Sequence, residues 1–185
     1  MEIYSNRIIQ THADLLEHMK EIENICRHSK CYKAIIGYLK DTLGLKYSTT
    51  FPNIDFLEKD IDLECHHIIT LWDIIEAVGM YMLYDENENN LTVFKVADKV
   101  MELHSQDYIP FVVLSVTEHQ LYHSGDFTFN NTHPCLHLGK VIDFLKTYHE
   151  YITDDSMIRI RNLLPDNDIK NKDAIDSLLG VKEEE

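Results

Sequence analysis

Phe111-Val112-Val113-Leu114 runs without a linker into Ser115, and Glu118 follows three residues later. A β-branched apolar run of this length reads as a short strand. Ser-x-x-Glu is the reciprocal capping pattern that starts a helix. Strand and helix are therefore joined directly at Ser115, and whatever the helix carries is held at a fixed place beside the strand. It carries His119 and His123, which are i and i+4 and share one face, before Ser124-Gly125 ends it. No other stretch restricts the fold as much.

The same start signal recurs along the chain. Thr11 with Asp14 opens a helix to about His28, with Leu15, Met19, Ile22 and Cys26 at helical spacing. A second helix from Lys30 to Leu43 carries Ile35, Ile36 and Leu39 and stops at Gly44. A loop over residues 45–60 leads to a strand from Asp62 to Ile69, which delivers Glu64, His66 and His67 near its end. Thr70 with Asp73 opens a helix to Tyr84, the acidic DENENN segment follows, and a further helix spans Thr92 to His104. Beyond the Ser115 helix the pattern predicts a short strand at Asp126–Asn130 and a Pro-containing loop. Helices then run from Leu138 to Ile152, from Asp155 to Leu163, and on to Leu179. This alternation predicts an α+β, helix-rich fold, and 185 residues suit a single domain.

Composition excludes several classes. Cys26, Cys31, Cys65 and Cys135 form no CxxC pair, so neither a cysteine zinc knuckle nor a disulfide framework is indicated. No apolar run has the length of a membrane span and MEIYSNRIIQ has no secretory apolar core, so a cytoplasmic location and no membrane partner are expected. The net charge of −15 opposes nucleic-acid binding at long range. Screening makes local patches matter more than the total. Arg27, Lys30, Lys33, Lys40 and Lys46 face only Asp41 within residues 27–50. Lys30, Lys33, Lys40 and Lys46, with Lys140, are the candidate nucleic-acid contacts; a solvated helix face is the plainer account of the cluster.

Glu64-Cys65-His66-His67 and His119-Gln120-Leu121-Tyr122-His123 supply four imidazoles in the order HH…HxxxH. Neutral imidazoles bind borderline divalent metals, and two at i, i+4 converge on one ion. Such an ion can polarise a phosphodiester while an uncoordinated His takes a proton from water.

At these residues the chain resembles the HNH (His-Me finger, ββα-metal) endonucleases, most closely the DNase-type bacteriocin core with its E-x-H-H and H-x-x-x-H followed by a small residue and Gly. LWDIIEAV, VLSVTEHQLYHSG and LGKVIDFLKTYHEYI also resemble HNH-like reading frames of large bacteriophages. The resemblance covers roughly residues 62–152. It implies a small ββα-metal core over 61–152 with a two-helix insertion, an N-terminal helical region over 1–60 and a C-terminal helical tail over 153–185. It further implies a phage-encoded endonuclease hydrolysing DNA, with RNA left open, through one divalent ion (zinc, nickel, manganese or magnesium). By position His66, His119 and His123 are the metal ligands, His67 is the general base, and Glu64 orients a neighbour at the site.

The chain also departs from the pattern of that family. The Asn usually found about nine residues before the first helix His is replaced by Pro110, which leaves Asp107 or another loop residue to pin the site. No arginine is identified for the phosphate. Two other readings stand beside the nuclease. One is a degenerate HNH scaffold that binds a protein partner through its acidic surface. The other is a helical interaction protein with fortuitous histidine pairs.

Overall fold

Helix starts are set by side-chain caps where the sequence places them. Thr11 Oγ1 accepts from the Asp14 amide at 3.1 Å and the Asp14 carboxylate accepts from Thr11 N at 3.0 Å, opening α1 (His12–His28). Ser29 caps α2 (Lys30–Gly37), which widens into a π-helical turn over Tyr38–Thr42. Thr70 and Thr92 cap α3 (Leu71–Tyr84) and α4 (Val93–Ser105). Each cap satisfies a backbone donor that the first helical turn leaves free, a contribution of about 1 kcal/mol. The computed structural model describes residues 8–42 and 61–181. Gly44, the loop over 45–60, Lys46 and the side chain of Lys40 lie outside the described residues.

The strands are β1 (Leu63–His67), β2 (Phe111–Ser115) and β3 (Leu136–His137), in an antiparallel sheet of order β1-β2-β3. The third strand is thus not at Asp126–Asn130. Those residues are irregular, and the pairing Phe111↔His137 and Val112↔Leu136 comes from the far side of Pro134. A ladder partner, rather than local alternation, decided which segment became a strand. Helix α5 (Val116–Ser124) leaves β2 at once through the Ser115–Glu118 capping box, and Gly125 ends it in the left-handed region at φ 82°. The expected helix over Leu138–Ile152 is shorter, α6 (Val141–Tyr148), with a 3-10 turn at His149–Tyr151. The chain closes with α7 (Asp154–Leu163) and α8 (Ile169–Leu178).

Helices α1, α3 and α4 pack against one another and supply most of the core: Leu15, Met19 and Ile22 meet Ile74, Ile75 and Val78, with Val96 and Val100. A β-carbon at Gly79 would lie 2.6 Å from Leu15 Cδ2, so α1 and α3 approach at the one residue without a side chain. Met157 and Ile160 of α7 and Ile175 of α8 belong to the same apolar cluster as Leu15. The C-terminal helices are therefore part of one core. Arg161 holds α7 to α8 through a two-pronged pair with Asp176, 2.7 Å at Nη2. Strand β2 is buried along its whole length, being covered on both faces. The architecture is α+β with a small antiparallel sheet. No described helix is long and apolar enough to cross a membrane.

Inside this core lie two histidines. His104 Nδ1 is 2.6 Å from the Val100 carbonyl, which only accepts, so that nitrogen carries the hydrogen. Its Nε2 then accepts from His67 Nε2 at 3.1 Å. Tyr32 stacks on His67 with centroids 6.0 Å apart, and Phe111 lies against both rings. Burial pushes His104 down to about 4 and His67 well below its ordinary value, the latter helped by the neighbouring His104. The unfolded chain binds these protons near pH 6.5 and the folded chain does not, so stability is full above about pH 6.5 and falls as pH drops toward 4. For His104 alone that amounts to about 3 kcal/mol. Urea unfolding of the metal-free protein across pH 7.5 to 4.5 should show the decline, and His104→Gln should reduce its slope, leaving the share of the other buried histidines. A wild-type curve level through that range would contradict the buried neutral pair.

Candidate metal centre

Successive residues of a strand point to opposite faces of its sheet. In β1 the register Glu64↔Leu114 and His66↔Val112 sets Glu64 and His66 on one face, while Cys65↔Val113 and His67↔Phe111 belong to the other. Helix α5 packs on the face of Glu64 and His66 and presents His119 and His123 there. His66 Nδ1 stands 3.0 Å from His119 Nε2, and His123 Nε2 stands 3.0 Å from that same atom. The three nitrogens all lie within 4.8 Å of one another. In a tetrahedral zinc site with bonds of about 2.0–2.1 Å, ligand nitrogens are roughly 3.4 Å apart. Small side-chain rotations bring the triad to that spacing.

The hydrogen positions favour a cation. His119 Nδ1 bonds to the Glu64 carboxylate, which only accepts, so Nδ1 carries the hydrogen and Nε2 a lone pair. That single lone pair faces two further ring nitrogens, an arrangement that one ion among them satisfies and two competing hydrogen bonds do not. A carboxylate behind a ligating histidine fixes its tautomer and raises its basicity. Burial, then the proximity of His119, His123 and Arg159, pushes His66 down to about 4, so its lone pair is free at neutral pH. His66 and His119 are half-buried and His123 is exposed, which leaves the centre open on one side.

Glu64, His66, His119 and His123 are thus brought together as the sequence predicts. His67 is not. It is 8% exposed, bonded to His104 in the core, and points away from the triad because β1 keeps its pleat through residue 67. The general-base role expected for it is corrected on that geometry. The basic residues are also elsewhere. Helix α2, with exposed Lys30 and Lys33, packs through Tyr32 on the His67 face of the sheet. Lys140 donates to the Gln106 carbonyl at 3.1 Å and lies over the Tyr108 ring, so it is engaged away from the triad.

Asp107 does not replace the missing Asn. Its carboxylate accepts from His137 Nε2 at 2.6 Å. The bend after His67 is held instead by the backbone, Ile68 N donating to Pro110 O at 3.2 Å. Arg159 of α7 donates from Nη1 to Ile68 O, also at 3.2 Å. Tyr122, on α5 between His119 and His123, packs edge-on to His66 with centroids 4.6 Å apart. Sequence reasoning missed both residues. Arg159 lies 91 positions from Ile68, and no local pattern connects them.

Residues 1–181 match the family model described as Bacteriophage G278-like virion protein. The chain belongs to that family, in keeping with the phage origin expected from its sequence. No curated protein and no solved structure matches it.

Zinc titration against a competing chelator should give one tight site per chain. His119→Ala should weaken it at least a hundredfold, and Glu64→Gln by about ten- to a hundredfold through loss of the orienting carboxylate. Unchanged affinity in His119→Ala would remove the triad as the ligand set.

Proposed function

We propose that this virion-family protein is a metal-dependent hydrolase of phosphodiester bonds in nucleic acid, acting through a single divalent ion on a ββα unit of the HNH kind. The observation that carries the proposal is the convergence of His66, from the first strand, with His119 and His123, from a helix joined directly to the second. Zinc, nickel, manganese or magnesium bound there would supply Lewis-acid activation of a phosphate oxygen and of water. His66, His119 and His123 hold the ion. Glu64 fixes the ring of His119 and selects the tautomer that turns Nε2 toward the other two nitrogens. The exposed side of the centre, at His123, gives a polymeric substrate access. The long segment between β1 and β2, occupied by α3 and α4, is then a helical insertion in the compact unit, and the remaining helices are additions at its two ends. DNA is the favoured substrate, RNA the alternative. A family of virion proteins is compatible with an enzyme delivered with the particle into the host cytoplasm.

A second reading is favoured by the position of His67. With that ring in the core, the triad has lost the uncoordinated imidazole that the HNH reaction uses as base. The same scaffold would then keep its ion for stability and bind a protein partner through its acidic surface.

Cleavage of supercoiled plasmid by the full chain with each metal, beside a chelator control, separates the two. The hydrolase predicts metal-dependent nicking that His119→Ala abolishes. It also predicts that His67→Asn, compared at equal folded fraction, loses less than tenfold, because a positioned general base contributes about 10²–10⁴. A loss of a hundredfold or more in that variant would return the base to His67. A protein that binds metal and cleaves nothing leaves the binding-module reading.

A further inference from the structure

We infer that Arg159, with the small cavity beside it, forms a phosphate-holding subsite of the His66/His119/His123 centre. The inference rests on the reading of the triad as a hydrolytic metal centre and names the group that anchors its anionic substrate.

Three arginines fall among the described residues. Arg27 pairs with Glu23 at 2.8 Å, and Arg161 pairs with Asp176. Arg159 has no such carboxylate partner among the described residues, although the chain holds 32 acidic residues against 17 basic ones. Its one hydrogen bond there is to the Ile68 carbonyl, two residues beyond His66. A guanidinium has five donors in a planar fork, so this bond orients the group and leaves most of its donors unused.

What lies next to it is a cavity of about 240 Å³, lined by Tyr122, Thr128, Phe129, Asn130, Arg159 and Asn162 among others. Tyr122 is the wall shared with the metal centre, since the same ring packs on His66. No lining residue is acidic. Asn130 Oδ1 accepts from Thr132 N at 2.9 Å and from Thr132 Oγ1 at 2.7 Å, so its free end is the donor Nδ2. Donors therefore outnumber acceptors around the space, in a protein whose net charge is −15. A cation at the triad and the Arg159 guanidinium, whose charge already reaches His66, are like charges, and an anion beside Tyr122 relieves their repulsion. A tetrahedral phosphate offers oxygens to both, and a guanidinium holds two of them at once. The ligand is a phosphate group, carried by a nucleic-acid chain or by a free phosphate.

The test uses the full chain loaded with cobalt(II), whose visible absorption reports its coordination. Inorganic phosphate is titrated in one arm and a short oligodeoxynucleotide in the other, for wild type, Arg159→Gln and Arg159→Lys. Both probes should perturb the cobalt spectrum. Arg159→Gln should weaken both at least tenfold, Arg159→Lys by less, and cobalt affinity should be unchanged in either variant, which also shows that they fold. Binding of phosphate without the oligonucleotide would support the subsite and assign it to a free phosphate. Equal affinities in wild type and Arg159→Gln would overturn the subsite and leave the metal centre standing. Failure of wild type to bind cobalt would overturn the metal centre and the subsite with it.

Discussion

A pleated strand cannot offer two neighbouring side chains to one site, and the structure around the histidines follows from that constraint. Because β1 stays regular from Leu63 to His67, Glu64 and His66 face α5 while Cys65 and His67 turn inward. Each histidine then acquires the environment of its face. His66 meets two imidazoles and a carboxylate-oriented lone pair at the edge of solvent. His67 meets His104, Tyr32 and Phe111 in the buried interior. Two adjacent residues of one type thus serve opposite purposes, one as a candidate ligand and one as a core residue.

The second dependence is on Ser115. It ends β2 and caps α5, and Glu118 closes the cap with bonds to both Ser115 N and Ser115 Oγ at 3.0 and 2.9 Å. Helix α5 is only nine residues long, too short to hold its direction by its own hydrogen bonds. Its direction comes from the cap and from packing on the sheet. His119 follows Glu118 directly, so the cap that starts the helix also aims the first of its candidate ligands.

Much of this was legible. The capping residues, the i, i+4 spacing of His119 and His123, the helices filling the gap between the strands and the strand at Phe111–Leu114 all rest on local patterns that the structure repeats. What was not legible depends on which way a segment faces. From sequence, an adjacent His pair at the end of a strand is compatible with a bend that turns both rings to one site, and only the observed register with β2 separates them. The lysines of α2 form a cluster in sequence but ride on a helix that packs against the other side of the sheet. The third strand was misplaced because a two-residue ladder has no periodicity to read. Arg159 sits on an amphipathic helix whose pattern reports Met157 and Ile160 facing the core and is silent about what the polar side meets.

His66 and His119 are 53 positions apart. An ion held by both would close that length of chain as a disulfide does, and the chain-entropy value for such a loop is about 4 kcal/mol. None of the four cysteines forms a disulfide, so no sulfur bridge shares the task. A clasp of this kind is indifferent to the thiols and reductants that differ between a particle, its surroundings and a cell interior. It answers instead to acidity and to the supply of metal, and it can be opened and closed without breaking a covalent bond.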